Sequence, residues 1–329
     1  MFDPIKAYKE IKDSYIDYIT TTFDMADTDY EREFRKELQT DGMVASGPFL
    51  DIGGSYETGH TLRELIQAQK ASILFENLEP VAEKERELKL DRPLYQHQET
   101  AMLKADKGEN LVVTTGTGSG KTESFLLPII NHLLREQEAG TLSAGVRAII
   151  IYPMNALAND QMKRMRALFK NYPQICYGVY NGNTEHTQSK ALAEYHRTYH
   201  DEAGEPIDPA PNEIISREVM QERPPHILIT NYSMLEYMML RPKDDAVFSG
   251  AKLKFIVLDE AHIYKGATGM ETSLLMRRLR ARISEPDSVQ YILTSATLGG
   301  PDADGDILSF AEKLCGVAFQ RSGIIRSTE

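Results

Sequence analysis

The sequence predicts an α/β fold: a parallel β-sheet flanked by helices, preceded by a mainly helical N-terminal segment. Three features predict it. From Leu94 onward, short β-branched runs alternate with helical stretches. Those runs are apolar on both faces, as strands covered on both sides must be. Residues 1–92 show helical spacing instead, and carry 12 basic against 20 acidic side chains, a net of −8. The remainder has a net of only −4, so charge and pattern change together near Asp91, Arg92 and Pro93. The expected division is a helical extension over 1–92 and a sheet domain over 93–329.

The 329 residues are 41% apolar and 26% charged, ordinary for a globular chain and enough for two domains. The total charge of −12 excludes a protein coated in positive charge that holds nucleic acid without preference. It leaves room for a local groove. Cys176 and Cys315 fit no metal or redox spacing, which points to a reducing, cytoplasmic compartment. The N-terminus lacks the basic-then-apolar order of a signal peptide. The most apolar run, Phe125 to Leu134, is interrupted by Asn131 and His132 and is too short to span a bilayer. No membrane is expected as a partner.

In chain order, Asp3 and Pro4 suit a helix start, followed by Ile5, Tyr8, Ile11, Tyr15, Ile16 and Ile19 at helical spacing. Further helices are expected over 30–38 and 61–78, on either side of a turn-prone stretch at 47–59. Residues 83–89 alternate in sign, as a solvated helix or linker does. This first segment shows no chemistry of its own, and a protein partner is one use for it. Strands are expected at 111–115, 147–152, 176–180, 226–230, 253–258 and 289–294, and helices at 121–134, 156–169 and 270–283. Residues 183–225 form a long polar insertion, expected to be functional or mobile rather than core.

The chemistry starts at Thr115, Gly116, Thr117, Gly118, Ser119, Gly120, Lys121 and Thr122, between a strand and a helix. Glycines let successive backbone amides turn toward phosphate oxygens, and the helix N-terminus adds partial positive charge. Lys121 would reach the β- and γ-phosphates and Thr122 would hold Mg2+. Thr115 stands where the strict spacing has glycine. Asp259, Glu260, Ala261 and His262 end another apolar strand. Strand C-termini of a parallel sheet share one crevice, so these carboxylates should face the phosphate loop. Asp259 could position Mg2+, and Glu260 could polarise the attacking water. Thr294, Ser295, Ala296 and Thr297 close a third strand.

With these residues in this order, the chain resembles the first RecA-like lobe of a superfamily 2 helicase with a DEAH-type box. The matching words are Gln98 in 94–98, then 115–122, 152–161, 229–233, 259–262 and 295–297. Words at 120–125, 152–158 and 230–236 are similar to large bacterial helicases of DNA repair and phage defence. The resemblance implies ATP and Mg2+ as ligands, with Gln98 reading the adenine edge. His262, Ser295 and Thr297 would couple nucleotide state to movement between lobes. Pro153, Asn155, Thr230, Asn231 and Ser233 would contact nucleic acid, DNA before RNA. No basic residue stands at Asn155, where the pattern often has one.

Arg277, Arg278, Arg280 and Arg282 follow the acidic box and are better explained as a solvated helix face than as a nucleic-acid path. His196 and His200, with His186 upstream, could hold a metal only if that stretch is helical. A working motor needs a second lobe to supply arginines. Only 32 residues follow Thr297, so a longer protein is expected. The implied activity is an ATP-dependent helicase or translocase. A double-strand translocase without strand separation and a nucleotide-dependent binding module are the alternatives.

Overall fold

The computed structural model describes residues 3–23, 25–49, 56–78, 88–116, 118–201, 203–297 and 301–328. The chain forms two compact units, Met1–Ser55 and Tyr56–Glu329. The first holds α1 (Pro4–Thr22) and α2 (Thr28–Gln39). Each has an aspartate cap: Asp3 Oδ1 accepts from the Ile5 and Lys6 amides, and Asp27 Oδ1 from those of Asp29 and Tyr30. These bonds satisfy amides that the first helical turn leaves without partners. The spacing in α1 marks a helix but not a buried stripe. Ile16 is buried, whereas Ile5 and Ile11 are 58% and 70% exposed.

The second unit begins with β1 (Thr58–Thr61), α3 (Leu62–Gln67), β2 (Pro93–Tyr95) and α4 (Gln96–Asp106). Strands β1 and β2 form a small antiparallel pair. The single helix expected over 61–78 is broken. Gln69 adopts φ 58°, a left-handed conformation that stops α3, and a 3-10 turn follows at Ile73–Leu78. Of the charged stretch at 83–89, residues 83–87 lie outside those described. Leu62, Leu65, Phe75, Leu78, Leu88 and Leu90 join the same core cluster as Phe125 and Leu133. Packing thus divides the chain at 55/56, whereas charge divides it near 92.

The main sheet is assembled from β3 (Leu111–Thr114), β4 (Ala148–Tyr152), β5 (Tyr177–Val179), β6 (Glu213–Ile214), β7 (Ile227–Asn231), β8 (Phe255–Leu258), β9 (Gln290–Ser295) and β10 (Ile324–Arg326). Its order is β10-β3-β9-β8-β4-β7-β5-β6, and every pairing is parallel. One face packs on α4, α5 (Lys121–Glu138) and α6 (Asn155–Phe169). After α7 (Gln188–Thr198) and α8 (Arg217–Glu222), the other face is covered by α9 (Tyr232–Leu240), α11 (Gly266–Arg282) and α12 (Asp304–Cys315), with the short α10 (Asp245–Phe248) beside them. Val113, Ile150 and Val257 point to the first core and Val112, Ile149 and Ile256 to the second. That alternation is why each strand reads as continuously apolar.

The insertion at 183–225 is built into this scaffold. It supplies α7, the edge strand β6 and α8. Arg166 of α6 grips buried Glu213 of β6 through two hydrogen bonds of 2.8 and 2.7 Å, and the Tyr195 hydroxyl donates to the same carboxylate at 3.1 Å. Of the two expectations for 183–225, functional or mobile, the mobile one is corrected accordingly. A two-residue strand is too short to carry a sequence pattern.

Candidate active site

The sheet register brings the predicted motifs to one edge. Thr114 of β3 pairs with Ser295 of β9, and Leu258 of β8 pairs with Leu293 of β9. The phosphate-loop strand, the third-motif strand and the acidic-box strand are therefore consecutive neighbours, the first two ending level and the third two residues earlier.

The loop from Thr115 to Gly120 is held from inside and from below. Ser119 Oγ donates to Thr115 Oγ1 at 2.7 Å and lies 2.9 Å from the Gly116 carbonyl. His97 Nε2 donates to the Ser119 carbonyl at 2.9 Å. Burial pushes the His97 pKa down, which keeps the ring neutral with one nitrogen free to donate. Gly120 caps α5 with φ 73°, and a Cβ there would stand 2.3 Å from Gln98 Nε2. The left-handed φ is what favours glycine at that point. Thr117 lies outside the described residues. Thr122 sits in the first turn of α5, directly after Lys121.

Gln98 is buried, and both ends of its amide are engaged. The oxygen accepts from the Tyr95 amide at 3.0 Å and the nitrogen donates to the Gly120 carbonyl at 3.1 Å. Beside it lies a cavity of about 180 Å³ lined by Arg92, Tyr95, Gln98, Gly118 and Gly120.

At the acidic box, Thr294 takes a role that the sequence did not assign to it. Its hydroxyl donates to Asp259 Oδ1 and accepts from the Glu260 amide at 3.2 Å. Burial pushes the Asp259 pKa up and the Glu260 charge adds to that, while the Thr294 bond and Lys121 pull it down. Glu260 has φ 49°, rare for a residue with a side chain and a sign of imposed local geometry. Glu260 Oε1 lies 3.3 Å from Lys121 Nζ, and Oε2 lies 3.3 Å from His262 Nδ1. The same His262 nitrogen is 3.2 Å from Ser295 Oγ, which accepts from the Thr297 amide at 3.1 Å. Lys121, Glu260, His262, Ser295 and Thr297 thus form one connected line across three strand ends.

Farther along the same edge, β4 and β7 pair with Tyr152 opposite Asn231. Asn231 Nδ2 donates to Asn155 Oδ1 at 2.7 Å, and Asn231 Oδ1 accepts from the Met234 amide at 2.7 Å, capping α9. Pro153, Asn155, Asn231 and the exposed Ser233 lie where α6 and α9 begin. Thr230 does not share this surface. It is 1% exposed, and its hydroxyl donates inward to the Tyr180 carbonyl at 2.7 Å.

The remaining candidates are structural. Arg278, Arg280 and Arg282 pair with Glu236, Asp287 and Asp245, and Arg277 donates to the Ser273 and Lys313 carbonyls. His196 bonds Asp208 at 2.7 Å, and His200 lies past the end of α7, so the two share no helical face. The described residues contain no cluster of metal-ligating side chains, and none of their helices is long and apolar enough to cross a membrane.

Residues 95–203 and 204–304 match the DEAD/DEAH box helicase family, and these are the segments that carry the geometry above. The chain belongs to this family. Across 98% of its length, the helicase chain is 32% identical to Druantia protein DruE of Escherichia coli (strain UMEA 4076-1), of which it spans 22%. It is 28% identical over 63% of its length to ATP-dependent helicase HRQ1 of Saccharomyces cerevisiae, of which it spans 16%. The fold is like that of the DEAD-box helicase Mss116 bound to ssRNA and UDP-BeF, with a TM-score of 0.60 at 16% identity over 84% of this chain and 47% of that one. For the DUF1998 helicase MrfA bound to DNA and AMPPNP, the TM-score is 0.55 at 22% identity over 83% and 30%. The helicase chain thus spans less than a quarter of the length of either curated relative.

Proposed function

We propose that this chain is the ATP-binding lobe of an ATP-dependent DNA helicase or translocase of the bacterial repair and phage-defence type. The observation that carries the proposal is the line from Lys121 through Glu260 and His262 to Ser295. It joins a phosphate-binding lysine to a water-polarising carboxylate and to a third strand end.

The residues present fit a nucleoside triphosphate and a divalent cation. A Cβ at Gly118 would meet open space. Glu260 Oε2 is buried and, apart from its 3.3 Å approach to His262 Nδ1, meets no hydrogen-bond criterion among the described residues. Burial raises the Asp259 pKa, a cost that a neighbouring cation offsets. Thr122 and Asp259 would hold Mg2+, which supplies charge neutralisation at the phosphates when bound. The triphosphate would draw Lys121 away from Glu260, and the released carboxylate would orient water toward the γ-phosphorus. Gln98, in the wall of the 180 Å³ cavity, would read the adenine edge. His262, Ser295 and Thr297 would pass the change in Glu260 toward a second lobe.

Pro153, Asn155, Asn231 and Ser233 would hold a DNA backbone. The motif words at 120–125, 152–158 and 230–236 support DNA before RNA. The exposed apolar side chains of α1 support a protein partner for the N-terminal unit. Cys176 and Cys315 are buried free thiols, in keeping with a reducing cytoplasm. The test is ATP hydrolysis by the complete protein with single-stranded DNA, duplex DNA and RNA. DNA-stimulated turnover that is lost in Lys121→Ala is expected, and turnover that survives in that variant would remove Lys121 from the reaction.

A further inference from the structure

We propose that Arg164 and Glu123 form a positioning pair that carries nucleic-acid contact at the start of α6 to the phosphate loop. This deepens the function proposed above and rests on it. Glu123 is the third residue of α5, two positions after Lys121. Arg164 of α6 makes a direct ion pair with Glu123 Oε1. The two side chains are only 16% and 18% exposed, so salt screens the pair far less than it would a surface one. Glu123 also leans on the last glycine of the loop, since a Cβ at Gly120 would stand 3.0 Å from Glu123 Oε2.

The far end of the path lies at the start of the same helix. Asn155 opens α6 and bonds Asn231, so two of the side chains expected to meet nucleic acid are fixed to its first turn. From Asn155 to Arg164 the helix rises about 13 Å. Arg164 also lies close enough to buried Tyr152 that its charge and that of Asp259 act on the same phenol. A backbone docking on the α6 start shifts or clamps the whole helix, because a helix moves as a unit. Arg164 passes that displacement to Glu123. Glu123 belongs to the first turn of α5, so it takes Lys121 and Thr122 with it. The loop geometry that binds phosphates then depends on whether nucleic acid is present.

The experiment measures ATP hydrolysis by the complete protein, with and without single-stranded DNA, for Arg164→Ala, Glu123→Gln and the double variant. In Arg164→Ala the DNA-stimulated rate should fall about tenfold, with the unstimulated rate and the KM for ATP within about twofold of wild type. Glu123→Gln should lose stimulation to the same degree, and the double variant should lose no more than either single. A structural role alone would lower all rates together with the melting temperature. If Arg164→Ala melts early, Arg164→Lys carries the test, since it keeps the charge but not the planar fork. It should melt like wild type and still lose part of the stimulation. Stimulation that survives in these variants, or losses that multiply in the double variant, would overturn the pair alone. A wild-type protein without nucleic-acid-stimulated hydrolysis would overturn the function on which it rests.

Discussion

The hydroxyl of Thr294 meets two demands at once, giving its hydrogen to Asp259 and taking one from the Glu260 amide. A serine can do the same; an alanine cannot, and it leaves a buried carboxylate with a partner missing. A hydrogen bond to a charged group contributes about 1.5–3 kcal/mol, so Thr294→Ala in the complete protein should slow ATP turnover roughly 10- to 100-fold. Thr294→Ser should restore most of it; equal rates in Thr294→Ala and wild type would show that Asp259 is held by other means. That Lys121, Asp259, Glu260 and His262 come together was legible because each lies in a motif at the end of a strand of one parallel sheet. Thr294 was harder to see, since threonine at a strand end is ordinary and its use depends on which strand lies alongside. Thr230 failed in the opposite direction. It sits in a recognisable word, but strand alternation turns its side chain inward.

At the scale of elements, six strands and three sheet-covering helices were readable, because each runs long enough to show a period or an apolar block. Helices α4, α7 and α12, of 11, 11 and 12 residues, were not read from the sequence, and the other failures were short or broken elements. Strand β6 has two residues and β10 three, and α3 ends where Gln69 turns left-handed. Nothing in the polar composition of 183–225 announces that Glu213 is gripped by Arg166 and Tyr195. Removing one partner of a buried ion pair costs about 3–5 kcal/mol, and the part-exposed Arg166 puts this pair at the low end. Glu213→Ala should therefore lower the melting temperature by roughly 6–12 °C. A shift below about 2 °C would mean that the insertion contributes little to the stability of the sheet edge.

For the whole molecule, acid should act through histidines held neutral. His132 packs edge-on against Phe255, and burial, with Lys254, Arg147 and Arg135 nearby, pushes its pKa down to about 4. Above its ordinary value of 6.5, His132 is neutral both folded and unfolded and adds no pH dependence. Below it, the unfolded chain takes up a proton that the folded lobe refuses until about pH 4, so stability falls as pH falls through that window. Between pH 7 and pH 5 the loss from this one group is about 2 kcal/mol, and urea unfolding of His132→Gln should show that much less acid sensitivity. An unchanged pH dependence would place the acid sensitivity elsewhere. The acidity that first marked the sequence belongs mostly to residues 1–92, where the net is −8. At one edge of the main sheet a lysine, two carboxylates and a histidine meet. The most direct test of that edge as an ATP-hydrolysing centre is Glu260→Gln in the complete protein, measuring bound ATP and turnover together in the presence of DNA. ATP should bind and stay intact, with turnover reduced by at least about a hundredfold. Near-normal turnover in that variant would contradict the assignment of Glu260, and with it the account of how this edge works.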